Sequence, residues 1–151
     1  MNKITCKDIY IKYHDTLDYQ QPRLEMTEFG DWCDLYVAED IELYQGDYAL
    51  ISMGISMKLP EGYEAIIAPR SSTFSKYGII QTNGIGIIDN SYSGNNDIWK
   101  MPVYATRYVK IPRGVRICQF RIQPRQPVLV FISTDSLGDE DRGGFGERTG
   151  I

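Results

Sequence analysis

No window of this chain keeps apolar residues at a helical period for three turns, whereas short β-branched and aromatic runs recur roughly every 8–12 residues. That pattern predicts a sandwich or barrel of many short strands. Ile9 and Ile11 alternate with polar or aromatic neighbours across 7–13. The run 47–59 ends at Pro60-Glu61-Gly62, and 63–68 follows it. A polar loop is expected over 69–75, with at most one short helix over 73–77. Further strands are expected at 77–81, 85–88, 98–105, 115–122 and 128–132, with turns at Pro112-Arg113-Gly114 and 124–127. No internal repeat is visible.

A chain of 151 residues is long enough for one domain with its own core. Sixteen Lys+Arg against twenty Asp+Glu leave a charge of −4, without the basic surplus of a nucleic-acid or anionic-membrane binder. Apolar content of 42% and charged content of 24% suit a soluble globular protein rather than disorder. The apolar stretch 128–132 is far too short to cross a bilayer. Met1 to Tyr10 holds no apolar h-region, so a cytoplasmic location is expected. Cys6, Cys33 and Cys118 are odd in number and never in C-x-x-C spacing; they read as small apolar strand residues, not disulfide or zinc ligands. The sole histidine, His14, lies in a polar stretch, so a catalytic base is expected to be a carboxylate.

The segment 138–151 holds five of the fourteen glycines and one large apolar residue before the terminus, Phe145. Such a segment cannot offset its ordering entropy by burial. Phe145 between glycines, flanked by Arg142 and Arg148, suits a flexible lid over a ligand with phosphates and a planar base. The expected organisation is therefore a domain over 1–137 and a flexible glycine-rich arm over 138–151.

Asp89 to Gly94 begins like a calcium loop, but Lys100 stands where the bidentate Glu is required. There is no Walker loop, and Gly84-x-Gly86 lacks the third glycine of a dinucleotide fingerprint. Three polar segments remain. Pro69-Arg70-Ser71-Ser72-Thr73 sets one cation and three hydroxyls in a loop after a strand, a phosphate cradle or a solvated turn. Asp89 follows the apolar run 85–88, at a strand end where a base is held rigidly, with Tyr92 three residues on. Gln119 interrupts the apolar run 117–120, as an outward strand residue or a ligand contact.

In this order the segments resemble the trimeric dUTPase family, closest to the variants of Gram-positive bacteria and their phages. Cys33-Asp34-Leu35-Tyr36-Val37-Ala38 is similar to the first of five family motifs, and Pro69-Arg70-Ser71-Ser72 to the second. Asn83-Gly84-Ile85-Gly86-Ile87-Ile88-Asp89-x-x-Tyr92-x-Gly94 resembles the third, and Gly114-Val115-Arg116-Ile117-Cys118-Gln119 the fourth. Arg142-Gly143-Gly144-Phe145-Gly146 with Thr149-Gly150 resembles the fifth, with Glu147-Arg148 where the family has a single Ser. The segment around Asn96 to Pro102 also departs from the family's usual strand.

The resemblance implies a distorted jelly-roll barrel and Mg²⁺-dependent hydrolysis of dUTP to dUMP and pyrophosphate. That activity keeps uracil out of DNA and supplies dUMP for thymidylate synthesis. Asp89 is implied as the base, with Arg70 and Gln119 beside it in catalysis and Asp34 holding Mg²⁺ through water. Ser71 and Ser72 would bind phosphate. Asn83, Gly84 and Ile88 would read the uracil, Tyr92 would pack on the deoxyribose, and Arg142, Phe145 and Gly146 would close from the tail. A homotrimer is also implied, with no nucleic acid or membrane as partner. The phage members suggest an alternative, a dUTP-responsive regulator that binds a protein partner through extra segments such as 15–30 or 95–100. A dCTP deaminase of the same superfamily would need a Glu in the strand after the third motif, and none stands between Gly94 and Arg113.

Overall fold

Alternation of side chains sets which face each strand buries. The computed structural model describes residues 6–144. Within them lie eleven strands: β1 (Tyr10–Tyr13), β2 (Cys33–Tyr36), β3 (Ile41–Leu43), β4 (Tyr48–Ser52), β5 (Ile55–Lys58), β6 (Tyr63–Pro69), β7 (Ile79–Gln81), β8 (Gly86–Ile88), β9 (Lys100–Ala105), β10 (Val109–Ile111) and β11 (Arg116–Pro124). One helix, α1 (Thr73–Tyr77), sits where the single short helix was expected.

The strands form a four-stranded sheet in the order β2-β11-β6-β8, a three-stranded sheet β4-β9-β7, and two ribbons, β1-β5 and β10-β3. Every pairing is antiparallel. Their inward side chains merge into one core that includes Leu35, Ile51, Ile67, Met101, Val103 and Ile117. Each such aliphatic side chain contributes roughly 1.5–3 kcal/mol by leaving water. Trp99 is wholly buried and meets Phe120 edge-on, with centroids 5.2 Å apart. It is a core residue.

Three expectations need correction. The run 47–59 is two strands, because Gly54 turns the chain at φ +65 from the β4 sheet into the β1-β5 ribbon. A Cβ there would lie 2.6 Å from the Gln21 side chain. The segments β2, β3 and β10 are strands that local pattern did not single out. The stretch 128–132 is not a strand: its backbone has no pairing partner among the described residues, and Phe131 is 90% exposed. Apolar, β-branched composition favours an extended chain, but a strand exists only against a neighbour.

Candidate functional site

Cys33 and Leu35 point into the core, so Asp34 between them points out of the four-stranded sheet. Its partner strand β11 carries a bulge. Arg116 opposes Tyr36 and Cys118 opposes Leu35, leaving Ile117 as the extra residue. Ile117 and Cys118 are therefore both buried, and the alternation resumes one residue late. Arg116 and Gln119, three apart, thus come to the same outer face as Asp34. Gln119 stands directly opposite Asp34 on one side and Ala68 on the other.

Arg70 reaches this face from just beyond β6. Its Nε is 3.1 Å from one Asp34 oxygen, and Arg116 Nη1 is 3.5 Å from the other. Gln119 Nε2 donates to the Pro69 carbonyl at 3.1 Å. One carboxylate between two guanidiniums leaves a positive surplus, suited to an anion. Thr73 fixes the loop beneath. Its Oγ1 accepts from the Arg70 N–H at 2.9 Å and donates to the Ile117 carbonyl at 2.8 Å. The side chain is 1% exposed, so of the three hydroxyls read as a cradle this one is structural. Ser71 is exposed and Ser72 partly exposed; Ser72 precedes α1 without a side-chain capping bond.

Asp89 follows β8 and is exposed, with its carbonyl accepting the Tyr92 N–H at 3.0 Å. Tyr92 donates its hydroxyl to the Ile98 carbonyl at 3.1 Å. Both line a hollow with Leu50, Ile88, Ile98 and Lys100. Asn90 clamps the turn, its Nδ2 donating to the Pro60 and Tyr63 carbonyls at 2.7 and 3.0 Å. Asn83 and Gly84 lie on the turn between β7 and β8, with Gly84 at φ +66. Beside that turn Arg70, Phe74, Ile79, Gln81 and Gly84 line a second hollow.

The structure therefore assembles Asp34, Arg70 and Gln119 into one cluster and brings Arg70 beside Gly84. Asp89 and Tyr92 form a separate group, sharing no hydrogen bond or ion pair with that cluster among the described residues. Arg142 is exposed, and Phe145 and Gly146 lie outside the described residues. From the sequence, Thr73 was read as part of the phosphate cradle, Arg116 and Asn90 lie inside the quoted motifs without a role of their own, and Gln81 was not singled out. A polar residue in an apolar run, such as Gln81 after Ile79-Ile80, was the available signal.

The buried cysteines are not reactive groups. Burial pushes the thiols of Cys33 and Cys118 up, and the Asp34 charge adds to both shifts. His14 contacts the buried Ser56 hydroxyl at 2.9 Å, and that hydroxyl also meets the Asn95 carbonyl. No group of three or more His, Cys, Asp or Glu gathers among the described residues. A Mg²⁺ carried on substrate phosphates needs only one or two protein carboxylates, and Asp34 beside the phosphate-suited cations meets that requirement. No helix among the described residues is long and apolar enough to cross a membrane.

Fold and site define the class: an all-β, jelly-roll-like protein with an anion-suited cluster built from three separated sequence segments. A family model described as dUTPase matches residues 33–148, and the chain belongs to that family. It is 51% identical over 138 residues to the SPbeta prophage-derived deoxyuridine 5′-triphosphate nucleotidohydrolase YosS of Bacillus subtilis (strain 168), covering 91% of this chain and 95% of the relative. Solved structures of like fold include a mutant dUTPase from phage phi11 of S. aureus with a structural Mg(II) ion. Its TM-score is 0.71 at 17% identity, with 85% of this chain and 99% of that chain covered. Another is a mutant Staphylococcus bacteriophage 80alpha dUTPase with dUpNHpp, TM-score 0.72 at 19% identity, covering 95% and 99%. It is one of the phage dUTPases described as controlling transfer of virulence genes by a proto-oncogenic G protein-like mechanism.

Proposed function

We propose that the protein hydrolyses dUTP to dUMP and pyrophosphate, acting on the cytoplasmic nucleotide pool. The observation that carries this reading is the Asp34–Arg70–Arg116–Gln119 cluster, in which three of the five family motifs meet on one face. Asp89, held at the end of β8, orients a water and takes its proton as the oxygen attacks the innermost phosphorus. The bond from that phosphorus to the bridging oxygen breaks, and pyrophosphate leaves. Arg70, Gln119, Ser71 and Ser72 hold phosphate oxygens as charge gathers there. Asp34 would hold Mg²⁺ through water, and the ion would supply charge neutralisation on the triphosphate.

Asn83, Gly84 and the backbone to Ile88 read the uracil edge. Tyr92 packs on the deoxyribose, where a 2′-hydroxyl would clash. Arg142 closes over the phosphates from the arm 138–151, and Phe145 stacks on the base with Gly146 beside it. Stacking is worth about 1–3 kcal/mol, and closure excludes water.

The working unit in this reading is a homotrimer whose sites take residues from more than one chain. Two observations support it. The catalytic groups fall into two separate sets on one chain, and apolar surface stands uncovered at 128–132 and along the row Tyr48, Tyr104 and Ile80 of the β4-β9-β7 sheet. The test is pyrophosphate release from dUTP, UTP, dCTP and dTTP, with and without Mg²⁺. Release from dUTP alone, lost with chelator, is expected; equal turnover of dTTP or none of dUTP sinks the proposal.

A regulatory role beside catalysis has one observation in its favour. The excursion 15–30 is tied down by the Arg23–Asp15 pair at 2.7 Å and by Arg23 on the Tyr13 ring, yet it leaves Leu17 and Phe29 fully in solvent. A protein partner bound there would be released by dUTP; binding indifferent to dUTP counts against it.

A further inference from the structure

Between β7 and β8 the chain leaves one sheet for another, so residues 83–85 belong to no ladder. Within the turn Gly84 N–H donates to the Gln81 carbonyl at 3.4 Å, and Ile85 N–H to the Asn83 carbonyl at 2.6 Å. Its ends are held by the Thr82 N–H on the Pro102 carbonyl at 3.0 Å and by the Gly86–Ile67 pairing, and a side chain adds a further tie to β6 from within. Gln81 Nε2 donates to the Ile67 carbonyl on β6 at 3.1 Å and to the Gly84 carbonyl at 3.4 Å. The two carbonyls also fix the amide's orientation, since reversing it would set oxygen against oxygen.

Gln81 is 5% exposed, and its Oε1 has no hydrogen-bond partner. A buried acceptor left unpaired is costly, and an apolar side chain at this place would avoid it. Ile79, two residues earlier on the same strand face, is apolar and buried. Buried polar groups that break the local rule concentrate where a backbone must be held for function.

We propose that Gln81 is a positioning residue that seats the Asn83–Gly84 turn against β6 and thereby sets uracil selectivity. The proposal rests on the dUTPase reading, in which that turn reads the base. A base edge is read by donors and acceptors at fixed positions, and in a turn without a ladder this amide is the side-chain tie that fixes them against β6. The phosphate cluster does not depend on it: Asp34, Arg116 and Gln119 make none of their bonds to Gln81. Loosening the turn therefore weakens recognition of the base and spares recognition of phosphate.

The experiment compares Gln81→Leu and Gln81→Met with the unaltered full chain, after circular dichroism has established folding. It measures dUTP and dTTP turnover, and the affinities for dUMP and inorganic pyrophosphate by calorimetry. The expected result is KM for dUTP and Kd for dUMP raised about tenfold, near the 1.4 kcal/mol of a single hydrogen bond. At the same time kcat and the pyrophosphate Kd stay within about twofold, and the preference for dUTP over dTTP falls. Unchanged dUMP affinity in a folded variant, equal loss for pyrophosphate, or failure of both variants to fold overturns the proposal. Absence of dUTP turnover by the unaltered chain would instead overturn the function itself, separately from the dUMP measurement.

Discussion

Gln119 faces Asp34 across the β2–β11 ladder because one extra residue, Ile117, bulges from β11. Without it Cys118 would take that place, and the amide would turn inward. The arrangement leaves Asp34 between Arg70 and Arg116, where an anion meets cations already oriented by a carboxylate.

Asp89→Asn removes the proton acceptor proposed above while leaving the turn that Asn90 clamps to Pro60 and Tyr63. Pyrophosphate release is expected to fall by about 10²–10⁴, the usual share of a positioned base. The Kd for the non-hydrolysable dUpNHpp should stay nearly unchanged. Full activity in this variant would refute the assignment of the base.

Thr73→Val leaves the Arg70 N–H and the Ile117 carbonyl without their shared hydroxyl in a buried place. Each unpaired group costs about 1–3 kcal/mol, and in a chain of this size each kcal/mol lowers Tm by about 2–4 °C. KM for dUTP should rise as well, because Arg70 loses its seat, and Thr73→Ser should restore both. A melting curve superimposable on that of the unaltered chain would remove the hydroxyl from this role.

His14 gives the protein an acid sensitivity. Burial, then the charge of Lys12, lowers its pKa below the ordinary 6.5. The unfolded chain therefore takes up a proton near pH 6.5 that the folded chain accepts only at lower pH. Stability is lost as pH falls through that window. The carboxyls of Asp15 and Glu42, held low mainly by Arg23 and Tyr108, add losses only at more acid pH. Tm should be lower at pH 5.5 than at 7.5, and His14→Gln should flatten the difference. An equal slope in that variant would assign the effect elsewhere.

Assembly is tested through the uncovered run 128–132. Three chains of 17.3 kDa make a particle of about 52 kDa, measurable by sedimentation. Val130→Asp with Phe131→Asp should leave folded single chains that no longer turn over dUTP. A particle of unchanged mass and activity would show that this stretch is not what the copies share.

The parts legible in the sequence are those that neighbouring residues specify. Apolar, β-branched and aromatic runs bounded by turn residues marked β6, β9 and β11, and the short helix after Arg70 fell where it was expected, over 73–77. Asp89 at a strand end and Arg70 in a loop were read from the residues beside them. The three-residue strands β3 and β10 escaped, because each is a strand only through pairing with the other. The run 128–132 failed in the opposite sense, being strand-like in composition with nothing to pair against.

Tertiary structure alone decided the meeting of Asp34, Arg70, Arg116 and Gln119, and the anchoring of the Asn83–Gly84 turn by Gln81. Dihedral preference and alternation act between adjacent residues, so a sequence declares them outright. Ladder register, a single-residue bulge and an amide spanning two sheets depend on residues far apart in the chain, whose distances exist only once the core has closed.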